Sequence, residues 1–244
     1  MKARPVGQTD AGSRLGPNAL LEHVRCEVAA FARCLDHDPT APVRACPGWD
    51  VAELATHLGR VHRWATAALS SGDPPDLPAR PSGEDLRTWF DEGAVDLLAE
   101  LGARDPAQPC WTLAAPHTVG FWVRRQAHES AMHRWDAETA LGRPASIDAG
   151  LAGDGVDEVV EMMYPRQVAL GRADAVDAAL VLRAGSHEWV VGGEGPRAAI
   201  AADPGELLLL LWKRRTLDEV LARGGRLEGD RSAAETVLGA KLTP

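Results

Sequence analysis

The stretch Arg124-Arg125-Gln126-Ala127-His128-Glu129-Ser130-Ala131-Met132-His133-Arg134-Trp135-Asp136 sets Glu129 and His133 four residues apart. On a helix that spacing is about 40° of rotation, so both side chains leave one face within reach of a shared ion. About seventy positions earlier, Ala55-Thr56-His57-Leu58-Gly59-Arg60-Val61-His62 carries a third donor, His57. Two imidazoles and one carboxylate suit a catalytic zinc, which keeps a further position open. The stretch is not the protease signature His-Glu-x-x-His, because position 132 is Met132 and the second histidine falls at His133. His128 lies five residues before His133, about 140° round the helix. It reads as a packing histidine or a support for a ligand.

Taken alone, a Glu-His pair one turn apart is more often a solvated surface pair than a metal site. The neighbours Ala127, Ala131 and Met132, and the preceding Phe121-Trp122-Val123, mark instead a buried helix, where an uncompensated carboxylate is costly. His57 alone, beside Leu54 and Leu58, reads as a core histidine and gains meaning only when joined to the other two. Asp136 either orients the His133 imidazole from behind or pairs with Arg134 or Arg125. His62 and His117 have no partner legible in the sequence.

The 244 residues suffice for one large or two small domains, and a net charge of −9 argues against nucleic acid as the main partner. The longest apolar run, Leu207 to Trp212, is far too short to span a bilayer. Residues 1–16 have basic groups but no apolar core of a secretory signal and read as a disordered leader, so the expected location is cytoplasmic. Cys26, Cys34, Cys46 and Cys110 form no Cys-x-x-Cys pair and read as reduced, mostly small core residues. Cys46 stands apart, one residue before Pro47 at the start of the helix that carries His57. The tryptophans, among them Trp49, Trp64, Trp111, Trp122, Trp135 and Trp212, read mostly as core and bundle-end packing. No Gly-x-Ser-x-Gly elbow occurs.

Leu20, Leu21, Val24, Val28, Phe31 and Leu35 recur at helical steps, which predicts an amphipathic helix from Asn18 to about Cys34. Asp50-Val-Ala-Glu53 has the form of a capping box and predicts a helix over about 51–70. A Pro- and Asp-rich loop follows over 72–82. A third helix is expected from Glu84 to about Leu101, with Leu86, Phe90, Val95, Leu97, Leu98 and Leu101 inward. A fourth runs from near Val119 to Leu141, stopped by Gly142 and Pro144. Beyond, the spacing predicts a helix over 155–168, strands over 178–184 and 188–193 joined by Gly185-Ser186-His187, a possible third strand over 197–202, a short buried helix through 207–214 and a helical tail. The fold class is α+β: a metal-binding four-helix bundle over 17–145 followed by a small α+β domain over 146–244.

Cys46-Pro47-Gly48-Trp49-Asp50-Val51 with His57-Leu58, and His128-Glu129 with His133-Arg134-Trp135-Asp136-Ala137-Glu138, resemble the mycothiol-dependent maleylpyruvate isomerase family of the DinB-like superfamily. Gly205-Glu206-Leu207, Leu211-Trp212-Lys213-Arg214 and Leu227-Glu228-Gly229-Asp230 resemble the C-terminal domain of the same proteins. The resemblance implies a DinB-like bundle binding zinc or another divalent metal through His57, Glu129 and His133. It implies mycothiol as thiol cosubstrate and a small electrophile as substrate, with no nucleic acid or membrane partner, in a monomer or homodimer. It further implies a catalytic arginine in the C-terminal domain, for which Arg214 is the candidate and Arg215 the neighbour that competes with it. The expected activity is that of a mycothiol S-transferase or a cis-trans isomerase. The alternatives are a metal- or ligand-binding protein without turnover and a hydrolase using zinc-bound water. Because histidine ligates only when neutral, metal affinity is expected to fall as pH drops through about 6.

Overall fold

A computed structural model describes residues 14–244. The chain divides into two compact units, Gly16–Ile147 and one containing Asp148–Pro244. The first is a bundle of α1 (Pro17–Cys34), α2 (Val51–Ala68), α3 (Leu86–Ala103) and α4 (Val119–Ala140). α2 begins where the capping box places it. Asp50 Oδ1 accepts from Glu53 N–H at 2.8 Å, and Glu53 Oε2 accepts from Asp50 N–H at 3.0 Å. That start fixes His57 in the second turn. α1 buries Leu20, Val24, Val28 and Phe31 at steps of three and four, against α4 and α3.

α3 corrects one expectation. Val95 is 65 % exposed, whereas Phe90, Ala94, Leu97 and Leu101 are buried. These four share a stripe at steps of three and four, and Val95 lies about 100° off it. Gly59 of α2 admits the Trp89 ring of α3, because a Cβ at Gly59 would stand 2.4 Å from that ring. On Trp89 also rests the Arg63 guanidinium, 4.2 Å from the ring centroid. α2 and α3 thus meet in close contact two residues beyond His57.

α4 is buried nearly throughout, including Arg125, Gln126, His128, Ser130, His133, Arg134 and Asp136. Polar groups this deep need partners. Arg134 spans from α4 to α1, donating to both oxygens of buried Glu27 at 2.6 and 3.2 Å, and also to Glu138 and the Ser146 carbonyl.

In the second unit, α5 (Ala149–Glu158) starts six residues earlier than expected, because the Asp148 side chain caps the Leu151 N–H. It continues through a π-helical turn (Val159–Met163) into α6 (Tyr164–Ala169). β1 (Ala179–Ala184) pairs antiparallel with β2 (His187–Gly192) and parallel with β3 (Arg197–Ala201). β4 (Arg226–Gly229), which had no sequence signal as a strand, completes the sheet in the order β2-β1-β3-β4. α7 (Pro204–Leu211) packs on α5, and α9 (Arg231–Gly239) packs on β1 and β3. A short helix, α8 (Leu217–Ala222), also escaped the sequence pattern. Trp189 of β2 donates its indole N–H to buried Asp157 at 2.8 Å, tying the sheet to α5.

The leader expected over 1–16 falls largely outside the described residues. Of the remainder, Arg14 pairs with Glu161, and the Leu15 N–H donates to Asp154 at 2.8 Å. Among the four cysteines only Cys34 is a core residue; Cys26 is exposed, and Cys46 and Cys110 are half-buried. Among the described residues no helix is long and apolar enough to cross a membrane.

Candidate metal centre

His57 comes from the second turn of α2, Glu129 and His133 from consecutive turns of α4. The packing of α2 on α4 brings one ligand atom from each within 4.8 Å of one another. Glu129 Oε1 sits between the imidazoles, 3.2 Å from both His57 Nε2 and His133 Nε2. The His57 and His133 rings meet edge to face with centroids 5.0 Å apart. His133 is buried and His57 is 33 % exposed, so the cluster opens towards solvent on the His57 side. There the Trp49 ring leans on His57 at 5.1 Å and lines a 450 Å³ groove with Arg44, Asp50 and Glu53.

Behind the cluster, His133 Nδ1 and Asp136 Oδ2 are 3.2 Å apart, the geometry by which a carboxylate orients an imidazole. Arg134 takes Glu27 and Glu138, and Arg125 takes Glu129. With its Nδ1 proton held by Asp136, His133 presents Nε2 to the cluster. Arg125 Nη2 donates to Glu129 Oε2 at 2.8 Å from a side chain only 5 % exposed.

These contacts set the charge states. Burial raises the Glu129 carboxyl, but hydrogen bonds from His133 and His57 and the charges of His133 and Arg125 outweigh it and hold it well below the usual carboxylate range. Burial lowers His133, yet Asp136 and Glu129 push it up to about 9. Proton competition for this ligand therefore extends well above the pH of about 6 expected for ordinary imidazoles. His62, fully buried against Phe90 with Nε2 3.5 Å from Ser130 Oγ, is driven by burial down to about 3. It is a neutral core group and lies outside the cluster. His117 Nδ1 meets Thr112 Oγ1 at 2.8 Å.

The three donors fit a divalent ion: two imidazoles and a carboxylate converge, the carboxylate is ionised, and one histidine is oriented from behind. Arg214 belongs to the other unit. The chain leaves α7 through Lys213 in the left-handed region (φ 58°), and Arg214 lies 5.6 Å from the Trp212 ring and donates to the Trp212 carbonyl at 3.0 Å. Arg215 faces Glu206 of α7 at 3.5 Å. Sequence reasoning did not give Arg125 its role, although its spacing to Glu129 is the usual one turn. It did not single out Trp49 as the neighbour of His57.

Fold and site together define a class: a helical bundle that gathers two imidazoles and a carboxylate between facing helices, in one chain with a small α+β unit. Residues 21–138 match the family described as the mycothiol maleylpyruvate isomerase N-terminal domain. No curated protein matches the chain. Among solved structures it is similar to the mycothiol-dependent maleylpyruvate isomerase, with a TM-score of 0.59 and 14 % identity over 80 % of this chain and 88 % of that one. A histidine-to-alanine mutant of that enzyme aligns with a TM-score of 0.61 and 13 % identity over the same shares. At these identities the likeness establishes a common fold.

Proposed function

We propose that this protein is a mycothiol-using enzyme of the maleylpyruvate isomerase type, dependent on a divalent metal, for which zinc suits the donor set. The observation that carries the reading is the convergence of His57, Glu129 and His133 inside the stretch that matches the isomerase domain family. A divalent ion held there would supply positive charge that lowers the pKa of a thiol brought to its open position. His57, Glu129 and His133 are the ligands, Asp136 holds the proton on His133 Nδ1, and Arg125 neutralises Glu129 from behind. Trp49 and His57 border the open side by which a thiol enters.

The thiolate sulfur adds to an activated cis double bond, the resulting single bond rotates, and elimination returns the thiol with the trans product. With an electrophile that cannot eliminate, the same attack ends as S-transfer. Arg214 binds a substrate carboxylate, because a guanidinium matches it with two parallel hydrogen bonds.

Metal content of the purified protein beside His57→Ala, followed by turnover with mycothiol and a cis-configured unsaturated diacid, tests the reading. About one metal per chain, lost in the variant, with turnover only when mycothiol is present, is the expected result. Metal without thiol dependence would favour a hydrolase, and a protein that takes up no metal would favour a bundle used for binding.

A further inference from the structure

The two oxygens of Glu129 have different partners. Oε1 faces both imidazoles at 3.2 Å, whereas Oε2 accepts from Arg125 Nη2 at 2.8 Å. Arg125 lies one turn before Glu129 on α4, and burial keeps its guanidinium from turning out to water. We propose that Arg125 is a positioning residue that holds Glu129 to one ligating oxygen, Oε1, and so keeps a coordination position open for the incoming thiol. The inference rests on the metal-and-thiol reading above.

A carboxylate can ligate through one oxygen or chelate through both, and chelation occupies the position a catalytic site has to leave vacant. A charge-assisted hydrogen bond to Oε2 makes chelation cost that bond, and its donor, Arg125, is only 5 % exposed. Asp136 similarly fixes His133, so two of the three ligands are each held by a buried neighbour from α4 itself. The bare alternative is that Arg125 only neutralises a buried carboxylate.

Cobalt(II) loaded in place of the native metal separates the two. Its visible bands are intense when it is four-coordinate and weak at higher coordination, and a sulfur-to-cobalt band reports thiol binding. Arg125→Lys, which keeps the donor and the charge, is expected to retain the wild-type spectrum. Arg125→Met should keep cobalt but weaken the visible bands and reduce thiol affinity about ten- to a hundred-fold, the usual cost of removing a support behind a ligand. An Arg125→Met protein with wild-type bands and thiol affinity overturns the proposal. If Arg125→Met does not fold, the double variant Arg125→Met/Glu129→Gln removes the buried charge, and an amide ligates only through its oxygen. It should restore the four-coordinate spectrum, and a weak, higher-coordinate spectrum there overturns the proposal as well. Wild type that takes up no cobalt brings down the metal reading itself, a result distinct from either variant outcome.

Discussion

Five residues from His57 along α2, the chain spends a histidine on the core: His62 stays neutral there because burial against Phe90 penalises its charged form. Its pKa is about 3 in the folded chain and near 6.5 when unfolded, so the unfolded chain binds the extra proton between those values. Stability is therefore lost as pH falls from about 6.5 towards 3, by up to about 1.4 kcal/mol per pH unit from this group. The metal-free protein should lose about 2–3 kcal/mol between pH 7 and 4.5 through His62. Urea unfolding of wild type and His62→Leu at both pH values checks it: the leucine variant should be flatter by that amount. Equal acid sensitivity of the two proteins would place the loss elsewhere. Around the cluster, the Glu129-His133 pair was legible from spacing, since helix geometry alone puts residues four apart on one face. The role of Asp136 was legible only as one of two alternatives. The tertiary contacts bear on it: Asp136 lies 3.2 Å from His133 Nδ1, while Arg134 is drawn to Glu27 of α1 and Arg125 to Glu129.

At the level of the helices, the position of His57 depends on how closely α2 can approach α3. Gly59 permits that approach because the buried Trp89 ring fills the place of a side chain. Gly59→Ala gains about 1 kcal/mol in helix propensity but forces a Cβ to 2.4 Å from a rigid ring. Overpacking of this kind typically costs about 1–3 kcal/mol, so the substitution should be net neutral to destabilising by about 2 kcal/mol and should shift α2 away from α3. Chemical denaturation gives the first quantity, and weaker metal binding by the folded variant would report the second. A clearly stabilised variant with unchanged metal affinity would refute this account of the contact. The sequence signalled α1 and α2 well because their apolar stripes and the Asp50-Glu53 box are local patterns. α4 has no such stripe, since its buried faces carry Arg125, His133, Arg134 and Asp136. A polar helix that is buried is recognisable only once its partners are in place. β4 and α8 were missed because segments this short carry no full period, and Val95 was misplaced because an apolar residue type says nothing about which stripe it occupies.

For the molecule as a whole, folding, metal and proton are linked through His133. In the metal-free fold its pKa is about 9, above the unfolded value, so its stabilising contribution is complete below about 6.5 and is lost as pH rises through 9. A metal must displace that proton. Zinc affinity should therefore rise about ten-fold per pH unit between 6.5 and 8.5, and the gain in melting temperature on adding zinc should grow over the same interval. Competition titrations and thermal melts at stepped pH check this. An affinity already level above pH 7 would mean that His133 is not protonated in the metal-free protein.

The sequence by itself determined the pairing of Glu129 with His133, the start of α2 at Asp50 and the α+β class, because these follow from helical period, capping chemistry and strand patterning over short spans. It also carried the resemblance to the isomerase family. Only the tertiary structure decided that His57 reaches a pair 72 residues away, that Arg125 takes one oxygen of Glu129 while both imidazoles face the other, and that Asp136 serves His133. Distances between helices are set by packing, here by Gly59 against Trp89 and by Arg134 bridging α4 to α1. No spacing along a single helix encodes them.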